Sequence, residues 1–188
     1  MNNRLTAGML LGIASVFTGM GIAKLERAMR PDSVPASASI DEAEIDALLT
    51  DLYACISGPA GKERDWATFE RVFAADARMT AFFGTPDGNN SSMSLTPGEY
   101  REQIGPRLVE MGFEERETHR VLEVYGHIAH AFSTYQGTYN GGIMKTSVEG
   151  INSIQLIKTD SGWKVHSLVW QQANTDLPVP KAYRPDGD

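Results

Sequence analysis

Residues 150–170 read GINSIQLIKTDSGWKVHSLVW, and this stretch decides the fold. β-Branched and aromatic residues, which are typical of strands, stand on both sides of Asp160-Ser161-Gly162. A short polar connection that ends in glycine has the chemistry of a hairpin turn. We therefore predict two antiparallel strands, over residues 144–159 and 163–172.

The sequence immediately before this hairpin has the same strand-like composition. Two more strand-like runs cover residues 113–124 and 127–139. A turn at Tyr125-Gly126 joins these two runs, and a turn at Asn140-Gly141-Gly142 joins the second run to the strand at 144–159. Strands joined one after another by such turns form an antiparallel sheet. The C-terminal half is therefore predicted to be a four-stranded meander.

Before residue 113 the apolar residues recur with the period of a helix instead. Ser39 with Glu42 offers a capping box at the start of the first helix, and Gly58-Pro59 ends it. The apolar residues at helical spacing are Ile45, Leu48, Leu49, Leu52 and Ile56. A second short helix is predicted from Trp66 to about residue 75.

A short strand over residues 79–83 and a polar loop over 84–94 follow in the prediction. Thr96-Pro97-Gly98-Glu99 then starts a third helix, because a capping Thr, a Pro at the first position and a Glu three residues on form a capping box. Gly105-Pro106 should kink this helix and Gly112 should cap its end. Helices followed by a meander predict an α+β fold, in which three N-terminal helices pack on one face of an antiparallel sheet.

The composition narrows the function classes. A chain of 188 residues with 41% hydrophobic residues is typical of one globular domain. A net charge of -7 argues against a nucleic-acid-binding protein, which needs a basic face. The one cysteine, Cys55, excludes an internal disulfide framework and a cysteine-based zinc cage.

Residues 1–38 are predicted to lie outside the fold. Residues 5–23 form an uncharged, largely apolar run after Arg4, which is typical of an export signal. Ala36-Ser37-Ala38 and, earlier, Gly21-Ile22-Ala23 offer cleavage sites. The run is also long enough to span a bilayer, so an uncleaved N-terminal anchor stays open beside a cleaved signal.

We therefore expect a signal peptide or membrane anchor with its linker at 1–38, a domain at 39–172, and an extended, proline-rich tail at 173–188. The expected location is periplasmic or extracellular, or at a membrane through residues 5–23.

Three stretches of the chain resemble the nuclear transport factor two-like superfamily, which includes ketosteroid isomerases, scytalone dehydratase and SnoaL-like cyclases. They are residues 51–79 with the motif Phe73-x-x-Asp76-Ala77, residues 127–139 (HIAHAFSTYQGTY), and residues 150–170. The resemblance covers about residues 41–172. It implies a cone-like half barrel, a curved sheet around a pocket, and a homodimer through the outer sheet face.

The same resemblance argues against the ketosteroid isomerase reaction for this chain. Tyr53 stands where ketosteroid isomerases carry an oxyanion-hole tyrosine. Their general-base aspartate would fall at Ala81, and their second oxyanion-hole acid at Asn152. Because alanine cannot accept a proton, the isomerase reaction is not expected here.

Strand alternation and the resemblance together give a candidate pocket. Ser133 and Tyr135 share one face of their strand with small residues, and this face is expected to point inward, whereas His130 and Phe132 point outward. The candidate ligand-binding residues are Tyr53, Trp66, Phe73, Ser133, Tyr135, Asn152 and Ile154. None of them is a base at neutral pH, so the pocket is expected to bind a small apolar molecule rather than to catalyse proton transfer.

The remaining titratable residues are expected to be structural. The four histidines lack metal-ligand spacing, and we expect no metal and no cofactor. In the charged strand, Glu115, Glu117 and His119 are expected on one face and Arg116 with Arg120 on the other. These charges indicate cross-strand ion pairs on a solvated face or, alternatively, an arginine that holds an anionic ligand. Cys55 is expected to be a buried, inert thiol.

Three functions stay open. The first is an exported or membrane-tethered domain that binds a small apolar molecule and forms a homodimer, with no nucleic-acid partner. The second is a lyase, cyclase or isomerase on a polyketide-like or aromatic compound, with Tyr53 and His130 as catalytic candidates facing one cavity. The third is a dimeric interaction module that uses the outer sheet face.

Overall fold

A computed structural model describes residues 36–84, 90–141 and 145–185. Most of the predicted signal or anchor segment lies outside these residues, including all of 5–23. Within the described ranges, no helix combines the length and the apolar character needed to cross a membrane.

Four α-helices and six strands make up the described part of the chain. The helices are α1 (Ala36–Ile56), α2 (Trp66–Val72), α3 (Pro97–Gln103) and α4 (Gly105–Met111). The strands are β1 (Phe73–Gly84), β2 (Asn90–Leu95), β3 (Phe113–Tyr125), β4 (Ile128–Tyr139), β5 (Thr146–Thr159) and β6 (Gly162–Gln172). A short 3-10 helix covers Lys181–Tyr183.

The strands form one curved, unclosed sheet in the order β2-β1-β6-β5-β4-β3. The predicted α+β class and the meander β3-β4-β5-β6 are confirmed, with antiparallel pairing throughout the meander. One pairing differs from the expected antiparallel sheet, because β1 runs parallel to β6. This parallel pair is possible because the whole meander separates the two strands along the chain.

The third predicted helix is two helices in the structure. Its capping box is confirmed, since Thr96 Oγ1 accepts from the Glu99 backbone N–H at 3.1 Å and Glu99 accepts from the Thr96 backbone N–H at 2.7 Å. The helix is interrupted at Ile104, and α4 starts at Gly105-Pro106. Gly112 ends α4 with a φ of 64°, a conformation that favours glycine.

The limits of the elements before residue 96 differ more from the prediction. Helix α1 begins at Ala36, so Ser39 lies within the helix and not at the predicted N-terminus. The predicted second helix ends at Val72, and the predicted strand at 79–83 is the end of the longer β1. Part of the predicted polar loop is β2, an exposed edge strand whose serines give no alternating apolar signal.

A β-bulge at Thr118 changes which charged residues of β3 share a face. Glu117 pairs with Tyr135, but the next pair is His119 with Thr134. The extra residue moves Arg120 to the face of Glu117, and its guanidinium lies 3.7 Å from that carboxylate and also contacts Asp46 of α1. The predicted grouping of His119 with the two glutamates is therefore wrong.

The core lies between the helices and the concave inner face of the sheet. Fully buried residues from the helices pack against residues of β4, β5 and β6. They include Ile45, Leu49, Phe69, Val72, Ala131, Ile154, Leu156 and Val165. Arg64 is buried as well, and its guanidinium donates to the backbone carbonyls of Ile56, Gly58 and Leu108, which joins the ends of α1 and α4.

The C-terminal tail packs on the outer sheet face. Thr134 Oγ1 donates to the Tyr183 carbonyl at 2.6 Å, and the Tyr183 ring packs against Phe132 with a centroid distance of 4.8 Å. Arg184 also forms an ion pair with Glu149 at 2.8 Å. The tail therefore covers part of the face that the resemblance assigns to a homodimer.

Candidate functional site

A cavity of about 370 Å³ lies between the helices and the inner sheet face. We call it the inner cavity. Its lining is mainly apolar and aromatic, and its polar groups come from α1, α3, β3, β4 and β5. Away from the exposed mouth, the polar residues of the lining are Tyr53, Tyr100, Glu115, Tyr135, Tyr139 and Asn152.

Backbone pairing between the end of α1 and the start of β3 places Glu115 next to the end of α1. The backbone of Gly58, just after α1, forms an antiparallel bridge with Phe113 at the start of β3. Two residues on, the Glu115 backbone N–H donates to Ser57 Oγ at 2.9 Å. These contacts hold the start of β3 against the helix end, so that Glu115 faces the cavity rather than bulk solvent.

Burial raises the pKa of Glu115 from 4.5 to about 7, because the surrounding protein disfavours the charged carboxylate. The nearby Asn152 amide opposes this shift by favouring the charged form. The expectation that the pocket lacks a proton acceptor is therefore wrong. The sequence does not identify Glu115, because a run of charged residues on a strand is typical of a solvated face and nothing in it indicates the bridge that turns this one toward the cavity.

Tyr53 belongs to a chain of hydrogen bonds that leads out of the cavity. Asn152 Nδ2 donates to the Tyr53 hydroxyl at 3.0 Å, and this hydroxyl lies 2.7 Å from Ser133 Oγ. Ser133 Oγ in turn donates to the Glu117 carboxylate at 2.5 Å. Because Ser133 gives its own proton to Glu117, it accepts the proton of Tyr53.

This direction limits what Tyr53 can do. Its proton is held by Ser133 and its oxygen already accepts from Asn152, so it has no free donor for a ligand. Burial also raises the pKa of Tyr53 and of Tyr135. Among the described lining residues, Glu115 is the group with a raised carboxyl pKa near neutral pH.

The structure separates the other predicted site residues. Tyr53, Tyr135 and Asn152 line the inner cavity, and Ser133 touches it only through Tyr53. Trp66, Phe73 and Ile154 lie in the core and do not line the cavity. The sequence does not distinguish these three from lining residues, because the core and the pocket wall belong to the same layer in this fold.

His130 lies on the outer sheet face, as its strand position predicts. Its Nε2 is 3.1 Å from Ser153 Oγ, and its ring packs 6.0 Å from that of Phe132. The enzyme hypothesis that needs His130 and Tyr53 in one cavity is therefore wrong.

The mouth of the inner cavity is formed by exposed residues. Phe83 of β1, Arg107 of α4 and Gln172 of β6 line the cavity and are exposed to solvent. Arg107 is the basic residue among the described lining residues, and Glu115 is the acidic one. The site thus combines an apolar interior, a partly buried carboxyl group and a cation at the entrance.

The described residues offer no further reactive group at this site. No group of three or more His, Cys, Asp or Glu residues in the described ranges is arranged to hold a metal ion. Cys55 is buried, its Sγ donates to the Leu52 carbonyl at 3.1 Å, and burial raises the pKa of its thiol to about 12. It is therefore an inert core thiol at neutral pH.

A second concavity lies on the opposite side of the sheet. We call it the outer groove; it measures about 470 Å³, and the C-terminal tail forms one of its walls. Its lining is almost wholly apolar and includes Phe82, Phe132, Val169, Leu177, Val179 and Tyr183. It contains no carboxylate, histidine or lysine among the described lining residues.

Several solved structures share this architecture. A protein from Novosphingobium aromaticivorans, proposed to be a scytalone dehydratase, has a TM-score of 0.60 at 12% identity, and the match covers 82% of this chain and 99% of that one. A nuclear transport factor 2-like superfamily protein from Salmonella enterica has a TM-score of 0.56 at 15% identity, with 80% and 98% covered. A protein of unknown function with a cystatin-like fold from Nostoc punctiforme has a TM-score of 0.55 at 13% identity, with 75% and 96% covered.

No protein-family model and no curated protein matches the chain by sequence. These structural matches cover 75% to 82% of the chain and nearly the whole of each matched chain, at identities that show the fold alone. The chain therefore has the fold of the nuclear transport factor 2-like superfamily, the one that its sequence resembles.

Proposed function

We propose that the inner cavity binds a small, largely apolar molecule and that Glu115 exchanges a proton with it, as in a lyase or isomerase. The observation that carries this proposal is the placement of Glu115 in an apolar cavity with its pKa raised to about 7. A carboxyl group with a pKa near the working pH is suited to accept and return a proton. A volume of about 370 Å³ suits a compact ligand, because sites for small molecules start at roughly 300 Å³.

The proposed step is balanced without an added oxidant or reductant. The Glu115 carboxylate takes a proton from a C–H or O–H group of the bound molecule, and the electron pair of that bond stays in the molecule. In an isomerisation the same proton returns to another atom. In an elimination the electron pair expels a leaving group, which the proton then follows. The proposed dehydratase role of the Novosphingobium protein supports the second route by analogy of fold alone.

Deuterium exchange tests this proposal. A ligand found by thermal-shift screening of small apolar compounds is incubated with the protein in deuterated water and followed by mass spectrometry. We expect the wild type to incorporate deuterium, the E115Q variant to bind the ligand but to lose at least about 100-fold in exchange rate, and the E114Q variant to behave like the wild type. Glu114 is the matched control because it is the exposed neighbour on the same strand. Equal exchange by E115Q would show that Glu115 is not the proton acceptor.

We also propose that the protein is exported or membrane-tethered through residues 5–23. The support is the uncharged run that follows Arg4. Mass spectrometry of the protein recovered from its native host tests this. A mature N-terminus after Ala38 or Ala23, or an intact chain in the membrane fraction, is expected, whereas an intact Met1 in the cytosolic fraction contradicts the proposal.

A homodimer through the outer sheet face is likewise proposed. Val121 and Val169 are 41% and 38% exposed on this face, although the tail packs on part of it. Light scattering after gel filtration should show twice the chain mass of 20.6 kDa, and V169D should shift it to the monomer. A wild-type monomer at micromolar concentration would contradict this arrangement.

A further inference from the structure

We infer that the inner cavity selects a small organic carboxylate, whose anionic group binds Arg107 at the mouth and whose apolar body extends inward to Glu115. This inference rests on the proposed function of the inner cavity and names its substrate class. It is carried by the contrast between the two charged residues of the lining.

Arg107 carries a charge without an acidic partner among the described residues. Its Nε donates to Met111 Sδ at 3.3 Å, one turn further along α4, and no carboxylate of the described ranges lies within 4.0 Å of it. Four other arginines of the fold do form ion pairs, for example Arg101 with Glu70 and Arg184 with Glu149. The guanidinium of Arg107 is therefore available to a ligand.

The position of Arg107 lets its charge act on the cavity. Burial and Glu115 raise the pKa of Tyr139, and Arg107 opposes that rise by favouring the charged form of the tyrosine. Tyr139 and Arg107 both line the cavity, so the guanidinium lies close to its wall. The planar guanidinium presents paired N–H donors that match the two oxygens of a carboxylate.

Glu115 settles the orientation of such a ligand. A carboxylate placed beside Glu115 would meet a second acidic group in an apolar environment, which disfavours both charges. At the mouth the same carboxylate meets Arg107 and retains contact with water. The body of the ligand then lies along Phe113, Tyr139 and Val148, and its uncharged end faces Glu115 and Asn152.

A carboxylate fits this site better than a phosphate does. Arg107 is the one cation among the described lining residues, and a phosphate monoester carries nearly two charges at neutral pH. The backbone groups of α3 and α4 do not supply the missing charge, since both helices are single short elements of seven residues. One guanidinium matches the single charge of a carboxylate.

Paired probes of equal shape test the inference. Binding of 3-phenylpropionate and of its neutral amide, 3-phenylpropanamide, to the full-length chain is measured by calorimetry and by NMR of the Asn152 side-chain amide. The variants are R107Q and, as the matched control, R116Q. Arg116 also lies near one end of the sheet but donates to Gln136 on an exposed strand surface, away from the cavity.

We expect the wild type and R116Q to bind the acid about tenfold more tightly than the amide, and R107Q to lose that preference while it still binds the amide. Higher salt should weaken binding of the acid alone. Equal affinity for the two probes, or a preference that survives in R107Q, overturns the inference and leaves the proposed function intact. If neither probe binds nor shifts the Asn152 amide, while neutral apolar compounds do, the inference fails alone. If no compound of either kind reaches the cavity, the proposed function fails with it.

Discussion

The hydroxyl of Tyr53 lies 2.7 Å from Ser133 Oγ and donates its proton to it, away from the inner cavity. The direction follows from the next contact, in which Ser133 gives its own proton to Glu117. A tyrosine at the place of an oxyanion donor is thus used here to hold α1 on the sheet and to orient Asn152. The proposed proton exchange in the cavity is therefore assigned to Glu115 and not to Tyr53.

The first prediction concerns this Tyr53–Ser133 contact. In the S133A variant the Tyr53 hydroxyl and the Glu117 carboxylate each lose a partner inside the fold, so the free energy of unfolding should fall by about 1–3 kcal/mol. Urea unfolding followed by circular dichroism measures it. The S153A variant is the control, because Ser153 bonds His130 on the less buried outer face and its loss should cost under about 1 kcal/mol. Equal losses in both variants would contradict the buried chain.

The second prediction separates Tyr53 from catalysis. Because the proton of Tyr53 is committed to Ser133, the Y53F variant should keep proton exchange with a cavity ligand within about tenfold of the wild type. The variant should still lose about 1 kcal/mol of stability, since Asn152 loses its acceptor. A loss of exchange in Y53F as deep as that in E115Q would show that the hydroxyl acts on the ligand.

The elements that the sequence predicts well are those specified by neighbouring residues. The capping box at Thr96 and Glu99 and the hairpin turn at Asp160-Ser161-Gly162 each depend on a few consecutive side chains, and both occur as expected. The alternation in β4 likewise places Ser133 and Tyr135 on the inner face. These features need no knowledge of distant contacts.

The features that the sequence does not predict depend on distant partners. Glu115 faces the inner cavity because Gly58 pairs with Phe113 across 55 residues of chain. The faces of β3 change at Thr118 because of a bulge. Strand β2 exists because the edge of β1 offers it a partner. In each case the local residues are compatible with another structure, and tertiary pairing decides.

The third prediction concerns stability against pH. The unfolded chain releases the Glu115 proton near pH 4.5 and the folded protein only near pH 7, so between these values the folded state binds more protons. The contribution of Glu115 to stability is therefore greatest below pH 4.5, falls as pH rises to about 7, and stays low above that. At about pH 8 the E115Q variant should be more stable than the wild type, by at most about 3 kcal/mol.

The pH dependence of this difference is the decisive part. The gap between E115Q and the wild type should close toward about pH 4, whereas the E114Q variant should show no comparable trend. Urea unfolding at several pH values measures both. The groups that face Glu115 are Asn152 and tyrosines at positions 53, 100, 135 and 139, and these tyrosines stay neutral over this range because burial raises the pKa of each. A constant gap would mean that Glu115 titrates normally.

The fourth prediction concerns Gly150, whose backbone packs against Tyr135 of the inner cavity. A Cβ at this position would lie 2.6 Å from the Tyr135 hydroxyl and would also clash with the Gln171 carbonyl of the next strand. The G150A variant should therefore lose about 1–3 kcal/mol of stability and displace Tyr135 from the cavity lining. In contrast, G98A should be neutral or slightly stabilising, because its Cβ would have only an ordinary contact of 3.9 Å with Thr96 in the first turn of α3. Thermal unfolding of both variants measures the difference, and a harmless G150A would contradict the close packing.

The pKa of Glu115 in the folded protein tests the central claim most directly. Carbon-13 NMR of the labelled glutamate carboxyls, assigned by comparison with E115Q, follows each group through a pH titration. A Glu115 carboxyl group withdrawn from water into the inner cavity predicts a midpoint of about 7 for this residue. A midpoint near the ordinary 4.5 would show that its carboxyl group lies in water, and the proposed proton exchange would then lose its base.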